Sequence, residues 1–211
     1  ALLIGGNKSD EKQAVVINNC DVDDNNNFTQ KDSNGNAVTY VSSYAPYGEY
    51  IGGEREDNPK GSVIIDGATW IANGLYNLEG KYLVGNANGL ATLNAMMANK
   101  TAGKNIKVIL EADIDFTGKT WTPVDSHADS PFTFSLLDGQ GHTISNLTIN
   151  GQAMFNRFAG TGDVVMKDIT FINATVNSTT INSSILTVQS YQNVLLDNVD
   201  VKNSTITGGY K

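Results

Sequence analysis

A short pattern of apolar and polar positions returns along the chain. It reads apolar, any residue, Asn or Asp, apolar, Thr or Asp, apolar. Its clearest copies occupy residues 144–149, 166–171 and 196–201, with further copies at 17–22 and, more loosely, 65–70. The third clear copy begins 30 positions after the second, and the second begins 22 positions after the first. The repeat therefore predicts stacked units joined by loops of variable length.

The spacing of the apolar positions predicts what each unit looks like. Apolar residues two positions apart are typical of a strand with one buried face. A spacing of three indicates a corner, and the corner residue here is Asn, Asp or Gly, the types that tolerate left-handed backbone. Strand, corner and strand describe one coil of a parallel β-helix. We expect Asn19, Asn146, Asp168 and Asn198 to stack as one corner ladder, and Cys20 to fill a buried core slot.

One segment has the helical period instead, at residues 88–99. Its apolar side chains fall on one helical face, which carries Leu90, Leu93, Met96 and Met97. Asn88 is the predicted N-cap, and Gly103 follows the end of the helix. Strands are predicted directly afterwards at 106–110 and 112–116. An amphipathic helix in this position predicts a cap over the open first coil.

Composition narrows the class of partner. The chain has 25 Asn, 21 Gly and 19 Thr, which suits corners and strands better than helical bundles. A net charge of −8 with two Arg argues against nucleic acid as a partner. The chain has no apolar run of about 18 residues, so no membrane insertion is predicted. A single cysteine excludes an intrachain disulfide or a CxxC zinc site.

Two segments resemble a known family. Residues 113–123 run Asp-Ile-Asp-Phe-Thr-Gly-Lys-Thr-Trp-Thr-Pro, and residues 137–149 run Leu-Asp-Gly-Gln-Gly-His-Thr-Ile-Ser-Asn-Leu-Thr-Ile. Together they resemble bacterial surface proteins of the GLUG-repeat type, and the resemblance extends over roughly residues 80–211. It implies a right-handed parallel β-helix that is secreted or surface-anchored, often within an adhesin-like protein, with no catalytic residues. At 153–156 this chain has Ala-Met-Phe-Asn where the family usually has Gly-Leu-Phe-Gly.

The order of the segments predicts two parts. Residues 1–74 carry coil-like repeats, and residues 75–211 carry the capping helix followed by further coils. The chain begins and stops in mid-pattern, so residues 1–74 are expected either to end an upstream stack or to complete the second part. Docking within one chain and head-to-tail docking between chains both remain open, the latter by strand augmentation at open coil ends.

Two candidate binding sites lie in the first part. The start of a calcium-binding loop is imitated by Asp21, Asp23 and Asn25, so calcium is the one candidate cofactor. Asn26 stands where such a loop needs Gly, and outward positions of the repeat explain these residues equally well. A second cluster combines aromatic rings with Gly and Ser and suits contact with a sugar or a protein, or packing of a loop onto the coil wall: Tyr40, Tyr44, Tyr47 and Tyr50.

The candidate catalytic segments have structural interpretations. We interpret Asp138–His142 as a tight turn and His127 as part of a polar loop. A polysaccharide lyase needs a basic residue beside carboxylates, and a glycoside hydrolase needs paired carboxylates. Neither set is visible in the repeat. The sequence therefore predicts a non-catalytic, extracellular or cell-surface adhesin-like module that binds a host or bacterial surface glycan or protein. A polysaccharide-active enzyme on the same scaffold is the alternative.

Overall fold

The computed structural model describes residues 15–19, 30–31, 34, 37–38 and 63–208. In these ranges the chain is mostly β-structure with one α-helix, and the sheets form a solenoid of about four turns. The parallel β-helix predicted from the repeat is confirmed. Cys20, the tyrosine cluster and the candidate calcium residues lie outside the described residues.

Seven strands and the helix precede the coils. They are β1 (Val15–Ile17), β2 (Gln30–Lys31), β3 (Ala37–Val38), β4 (Val63–Ile65), β5 (Ala68–Ala72), β6 (Leu75–Leu78), β7 (Lys81–Val84) and α1 (Ala87–Ala98). Strands β4 to β7 form an antiparallel meander, whereas β1 pairs with β4 in parallel. β2 and β3 pair with each other in antiparallel orientation.

In the meander, one copy of the repeat does not form the predicted coil corner. Asp66 and Gly67, both at positive φ, form a two-residue turn between β4 and β5. Asp-Gly is among the strongest signals for such a hairpin, because both residues accept left-handed backbone. The coil corner predicted in copy 65–70 is therefore wrong. The division expected after residue 74 falls within the turn between β5 and β6, two paired strands of one sheet.

The coils begin after the helix. Coil one contains β8 (Ile106–Leu110), β9 (Ile114–Asp115), β10 (Thr120–Trp121) and β11 (Val124–His127). Coil two contains β12 (Phe134–Asp138), β13 (Thr143–Ser145), β14 (Thr148–Asn150) and β15 (Phe155–Ala159). Coil three contains β16 (Val164–Ile172), β17 (Thr175–Asn177) and β18 (Thr187–Ser190). Coil four contains β19 (Val194–Lys202) and β20 (Thr205–Thr207).

Corresponding strands of successive coils pair in parallel and form four walls. Wall A contains β8, β12 and the first halves of β16 and β19, and β7 extends it ahead of coil one. Wall B contains β9, β13 and the second halves of β16 and β19. Wall C contains β10, β14, β17 and β20. Wall D contains β11, β15 and β18.

Inward side chains of the walls stack into one core. Trp121, Ile149 and Val176 occupy the same register position of wall C and are at most 2% exposed. Phe134, Phe155 and Phe158 form an aromatic cluster beside them, with ring centroids 4.6 to 6.1 Å apart. Stacking of equivalent residues at the strand spacing of about 4.8 Å fills the coil interior and leaves the polar positions on the outer surface.

Helix α1 begins one residue earlier than predicted. Its N-cap is Asn86, whose side chain accepts a hydrogen bond from the Gly89 amide at 3.0 Å, so the prediction of Asn88 as N-cap is wrong. Gly89 lies against the backbone of Gly74 so closely that no side chain would fit. This contact fixes the first turn of the helix against the meander. Asn88 is exposed.

The helix closes the first coil, as predicted. Leu90, Leu93 and Met97 are buried in the common core, and Met96 packs at its edge. Asn94 contributes in a different way: its amide donates to the Thr122 carbonyl at 2.9 Å and accepts from the Thr122 amide at 2.8 Å. One side chain thus supplies both hydrogen bonds that a neighbouring strand would offer at this point.

Candidate binding face

Wall C presents a registered array of threonines. Thr120, Thr148, Thr175 and Thr205 pair directly from coil to coil. Adjacent members therefore lie about 4.8 Å apart on the outer face, since this is the distance between paired strands. A second outward column contains Asn150, Asn177 and Thr207. Wall C is thus a flat ladder of hydroxyl and amide groups that extends over all four coils.

The two columns differ in how their polar groups are used. Asn177 donates to the side chain of Asn150 at 3.0 Å, so these two amides partly satisfy each other. The hydroxyls of the four-threonine column have no hydrogen-bond partner among the described residues. Each can donate one hydrogen bond and accept two. The strands of wall C contain no charged residue, so recognition here would be neutral.

The corner between walls B and C holds one ladder. The Asn146 amide donates to Asp115 at 2.8 Å, and Asn173 donates to Asn146 at 3.4 Å. Asn146, Asn173 and Asn203 all have φ between 50° and 57°. The side chains of Asn146 and Asn173 link successive coils at the edge of wall C.

The corner between walls A and B holds a second, separate ladder. There Asn198 donates to Asp168 at 2.9 Å, and both residues have positive φ. Asn19 has the same backbone conformation, but its backbone N–H donates to the Asp66 carboxylate at 2.7 Å. This bond lies beside the paired strands β1 and β4. The residues expected in one ladder therefore belong to three places in the fold.

The two ladders explain the uneven spacing of the repeat. Each coil can carry the motif twice, once at each corner, and in coil three the copies 166–171 and 171–176 share Phe171. The interval of 22 residues joins different corners of neighbouring coils. Equivalent corners are separated by 27 residues from Asn146 to Asn173 and by 30 from Asp168 to Asn198. Asn173 and Asn203 are corner residues that were not predicted from the sequence, although the motif is present at residues 171–176.

Hydrogen bonds keep the corner carboxylates ionised. Bonds from the side chains of Thr117 and Asn146 lower the pKa of Asp115. The bond from Asn198, with a smaller contribution from Lys167, lowers the pKa of Asp168. The ionised form of each carboxyl group is therefore favoured, and it accepts the hydrogen bonds of its ladder. Neither has the raised pKa that a general acid near neutral pH requires.

One lysine does lie between two carboxylates. The Lys167 ammonium is 2.9 Å from Asp138 and 3.5 Å from Asp168. Asp138 and Lys167 are register partners on the outer face of wall A. Their hydrogen bond and charge attraction raise the pKa of Lys167. A protonated lysine of this kind can bind an anion or link two coils, but it cannot abstract a proton.

The Asp138–His142 segment forms a tight turn, in agreement with its structural interpretation. Gly139 lies so close to Asp168 and Ile169 that a side chain would clash, and Gly141 has φ of 84°. Asp113 accepts from the Thr143 amide at 2.9 Å and contacts His142 Nδ1 at 3.2 Å. These two contacts lower the pKa of Asp113. The pair holds the coil-two turn against coil one.

His127 lies at the end of β11 and accepts from the Asp129 amide at 3.1 Å. Within the described ranges, no three His, Cys, Asp or Glu side chains come together as a metal site. At 12 residues α1 is too short to cross a bilayer, and the same ranges contain no other helix capable of it.

Comparison of the chain with protein-family models, with curated proteins and with solved structures gives no match.

Proposed function

We propose that this protein is a non-catalytic, extracellular or cell-surface adhesin-like module of a bacterium that binds a surface glycan or protein through wall C. The observation that carries the proposal is the column of four registered threonines whose hydroxyls have no partner among the described residues. On the other walls and at the corners, most outward polar side chains bond either another side chain or a backbone carbonyl. Wall C thus combines regularity with unused hydrogen-bonding capacity.

The shape of wall C favours a large partner. A small molecule is usually bound in a concave pocket that surrounds most of its surface. A flat wall offers many weak contacts instead, each from a side chain that the sheet already holds in place. Little conformational entropy is lost when such side chains bind, because β-branched threonine is stiff at χ1. Threonine methyl and hydroxyl groups together suit the mixed apolar and polar faces of a sugar chain.

The bacterial and extracellular setting is carried by the resemblance of residues 113–123 and 137–149 to the GLUG-repeat type. The chemistry of the surface is compatible with that setting. Coil corners depend on hydrogen bonds between Asn amides and Asp or Asn oxygens. The tyrosine cluster at Tyr40, Tyr44, Tyr47 and Tyr50 remains a predicted second contact for the same partner.

The alternative is a polysaccharide-active enzyme, and the cluster of Asp138, Lys167 and Asp168 is the observation in its favour. A lyase would need Lys167 as a base with a lowered pKa, whereas its carboxylate neighbours raise it. A hydrolase would need one carboxyl group with a raised pKa, whereas that of Asp168 is lowered. The charge pattern of this cluster therefore favours the linking of coils over catalysis.

A glycan array combined with a reducing-end assay on the bound sugars tests the proposal. We expect binding without cleavage, and turnover of any bound glycan would contradict it. The variant Thr148→Lys with Thr175→Lys should abolish binding. The matched control, Thr143→Lys with Thr170→Lys, makes the same changes on wall B and should leave binding intact. Equal loss in both variants would place the binding face elsewhere.

A further inference from the structure

The end of the solenoid formed by coil four leaves its core positions uncovered. Leu196, Val201 and Ile206 are 48 to 53% exposed. Their register partners in coil three are Met166, Phe171 and Val176, which are fully buried. The same inward positions are thus part of the core in one coil and face solvent in the next.

Strand edges are open at the same end. β19 pairs with β16, β20 with β17 and β18 with β15, and the described residues contain no further strand beyond these three. Unpaired edges next to exposed apolar side chains readily accept another strand. Six of the seven large apolar residues that are exposed in the described ranges lie between residues 181 and 206: Ile181, Tyr191, Leu195, Leu196, Val201 and Ile206.

The opposite end of the coils is already covered over most of its area. Helix α1 buries Leu90, Leu93 and Met97 against coil one, and Asn94 bonds the backbone amide and carbonyl of Thr122 at the edge of wall C. A second copy that approached head to tail would meet α1 over walls C and D and β7 on wall A, and among the described strands would find an open edge only at β9 on wall B. A second copy that approaches with its own coil four meets an identical open end.

The charge pattern of β19 fits this arrangement. Asp200 and Lys202 flank Val201 on wall B, both more than half exposed, and contact each other at 3.0 Å. A two-fold axis reverses the direction of the partner strand, so identical edges pair in antiparallel orientation. Pairing centred on Val201 sets Asp200 of one copy opposite Lys202 of the other, twice. The edge is therefore complementary to itself in both charge and apolar character.

We propose that two copies of this chain associate through coil four, end to end about a two-fold axis, with the 199–202 edges paired in antiparallel register around Val201. The interface is isologous, the commonest type among soluble homo-oligomers. Because it covers the cross-section of one small solenoid, we place it at the weak end of the interface size classes, with a dissociation constant in the micromolar range. The proposal does not depend on the function of wall C.

Analytical ultracentrifugation of the full chain over a concentration series tests the association. We expect a monomer–dimer equilibrium. Val201→Lys and Ile206→Lys should each raise the dissociation constant at least about tenfold while leaving the circular dichroism spectrum unchanged. Val16→Lys is the matched control, because Val16 is 56% exposed on β1, which lies at the other end of the same sheet from β19. It should leave the equilibrium as it is.

Charge exchange tests the register. Asp200→Lys and Lys202→Asp should each weaken the dimer, since like charges then face each other, and the double variant should restore it. A monomer at all concentrations up to roughly 1 mM would overturn the proposal. Equal weakening by Val16→Lys would overturn it in favour of head-to-tail docking. A double variant as weak as the single ones would overturn the antiparallel register.

Discussion

At each end of the coil stack, the terminal coil has apolar core positions that no further coil among the described residues covers. The two ends differ in what covers these positions instead. Coil one would expose its core to solvent, but α1 covers it with Leu90, Leu93 and Met97. Coil four has no such cover among the described residues, and Leu196 and Val201 are about half exposed. The first end is therefore largely covered, with the outer edge of β9 still unpaired among the described strands, whereas the second end exposes side chains at core positions.

The comparison shows what a cap of a β-helix must supply. Apolar side chains fill the coil interior, and this part is common to any amphipathic helix. The cap must also satisfy the backbone of the first strand, because unpaired edge groups invite another strand. Asn94 does this by bonding both the amide and the carbonyl of Thr122. Among the described residues, nothing makes either contribution to coil four.

The largest expected effect comes from removing apolar contact at the closed end. Leu93→Ala should lower the free energy of unfolding by about 2 to 5 kcal/mol, because Leu93 is fully buried. Leu196→Ala, at the open end, should cost less than about 1 kcal/mol at concentrations where the chain is monomeric. Urea unfolding measures both. Equal losses would mean that Leu196 is covered in solution by part of the same chain.

The next effect concerns the polar part of the cap. Asn94→Ala should cost about 1 to 3 kcal/mol, since it leaves the amide and carbonyl of Thr122 without partners at a partly buried edge. Asn88→Ala is the control in the same helix and should change stability by less than about 0.5 kcal/mol, because Asn88 is exposed. Thermal unfolding of the two variants under one condition decides the matter. Similar melting temperatures would show that Asn94 is dispensable.

Corner residues should show a smaller difference, between coil two and coil four. Asn146→Ala is expected to cost about 1 to 2 kcal/mol, because alanine disfavours left-handed backbone and the bonds to Asp115 and Asn173 are lost. Asn203→Ala has the same backbone cost without an equivalent ladder bond and should cost less. Denaturant unfolding of both variants, with Asn146→Gly to separate backbone strain from bonding, provides the test. A larger loss for Asn203→Ala would contradict the ladder.

The smallest effect is a dependence on acid. The pKa values of Asp115 and Asp168 are lowered below the ordinary 3.8. Their stabilising contribution is therefore complete above that value and is lost as the pH falls through the lowered pKa. Melting temperatures should fall as the pH is lowered from about 4 towards about 2, and less steeply in Asp115→Asn and Asp168→Asn. A wild-type curve no steeper than those of the variants would exclude a role for these carboxylates.

Much of this architecture follows from local chemistry. The corners were predictable, since few residues besides Asn, Asp and Gly accept positive φ without cost. The cap was predictable from the face that contains Leu90 and Leu93. The exact N-cap was not, because Asn86 and Asn88 are equivalent in type and the choice depends on the contact of Gly89 with Gly74.

Other features depend on which strands become neighbours. One motif describes both corners of a coil, so the pattern alone could not assign Asn146 and Asp168 to different ladders. The meander of β4 to β7 was hidden because Asp66-Gly67 fits a coil corner as well as a hairpin turn. In the sequence the threonines of wall C lie in separate strands. Only the register between those strands shows that Thr120, Thr148 and Thr175 form one column. Asn94 looked like an ordinary polar residue of the helix.

Hydrogen exchange of the monomer tests most directly whether one end is closed and the other open. Exchange should be measured by mass spectrometry on peptides that cover α1 and β19, at protein concentrations below the dissociation constant of the proposed dimer. We predict that the amides of α1 exchange at least about tenfold more slowly than those of β19, because local opening begins where fewest apolar contacts would be lost. Slower exchange in β19 than in α1 would contradict the account, since the stack would then open from its capped end.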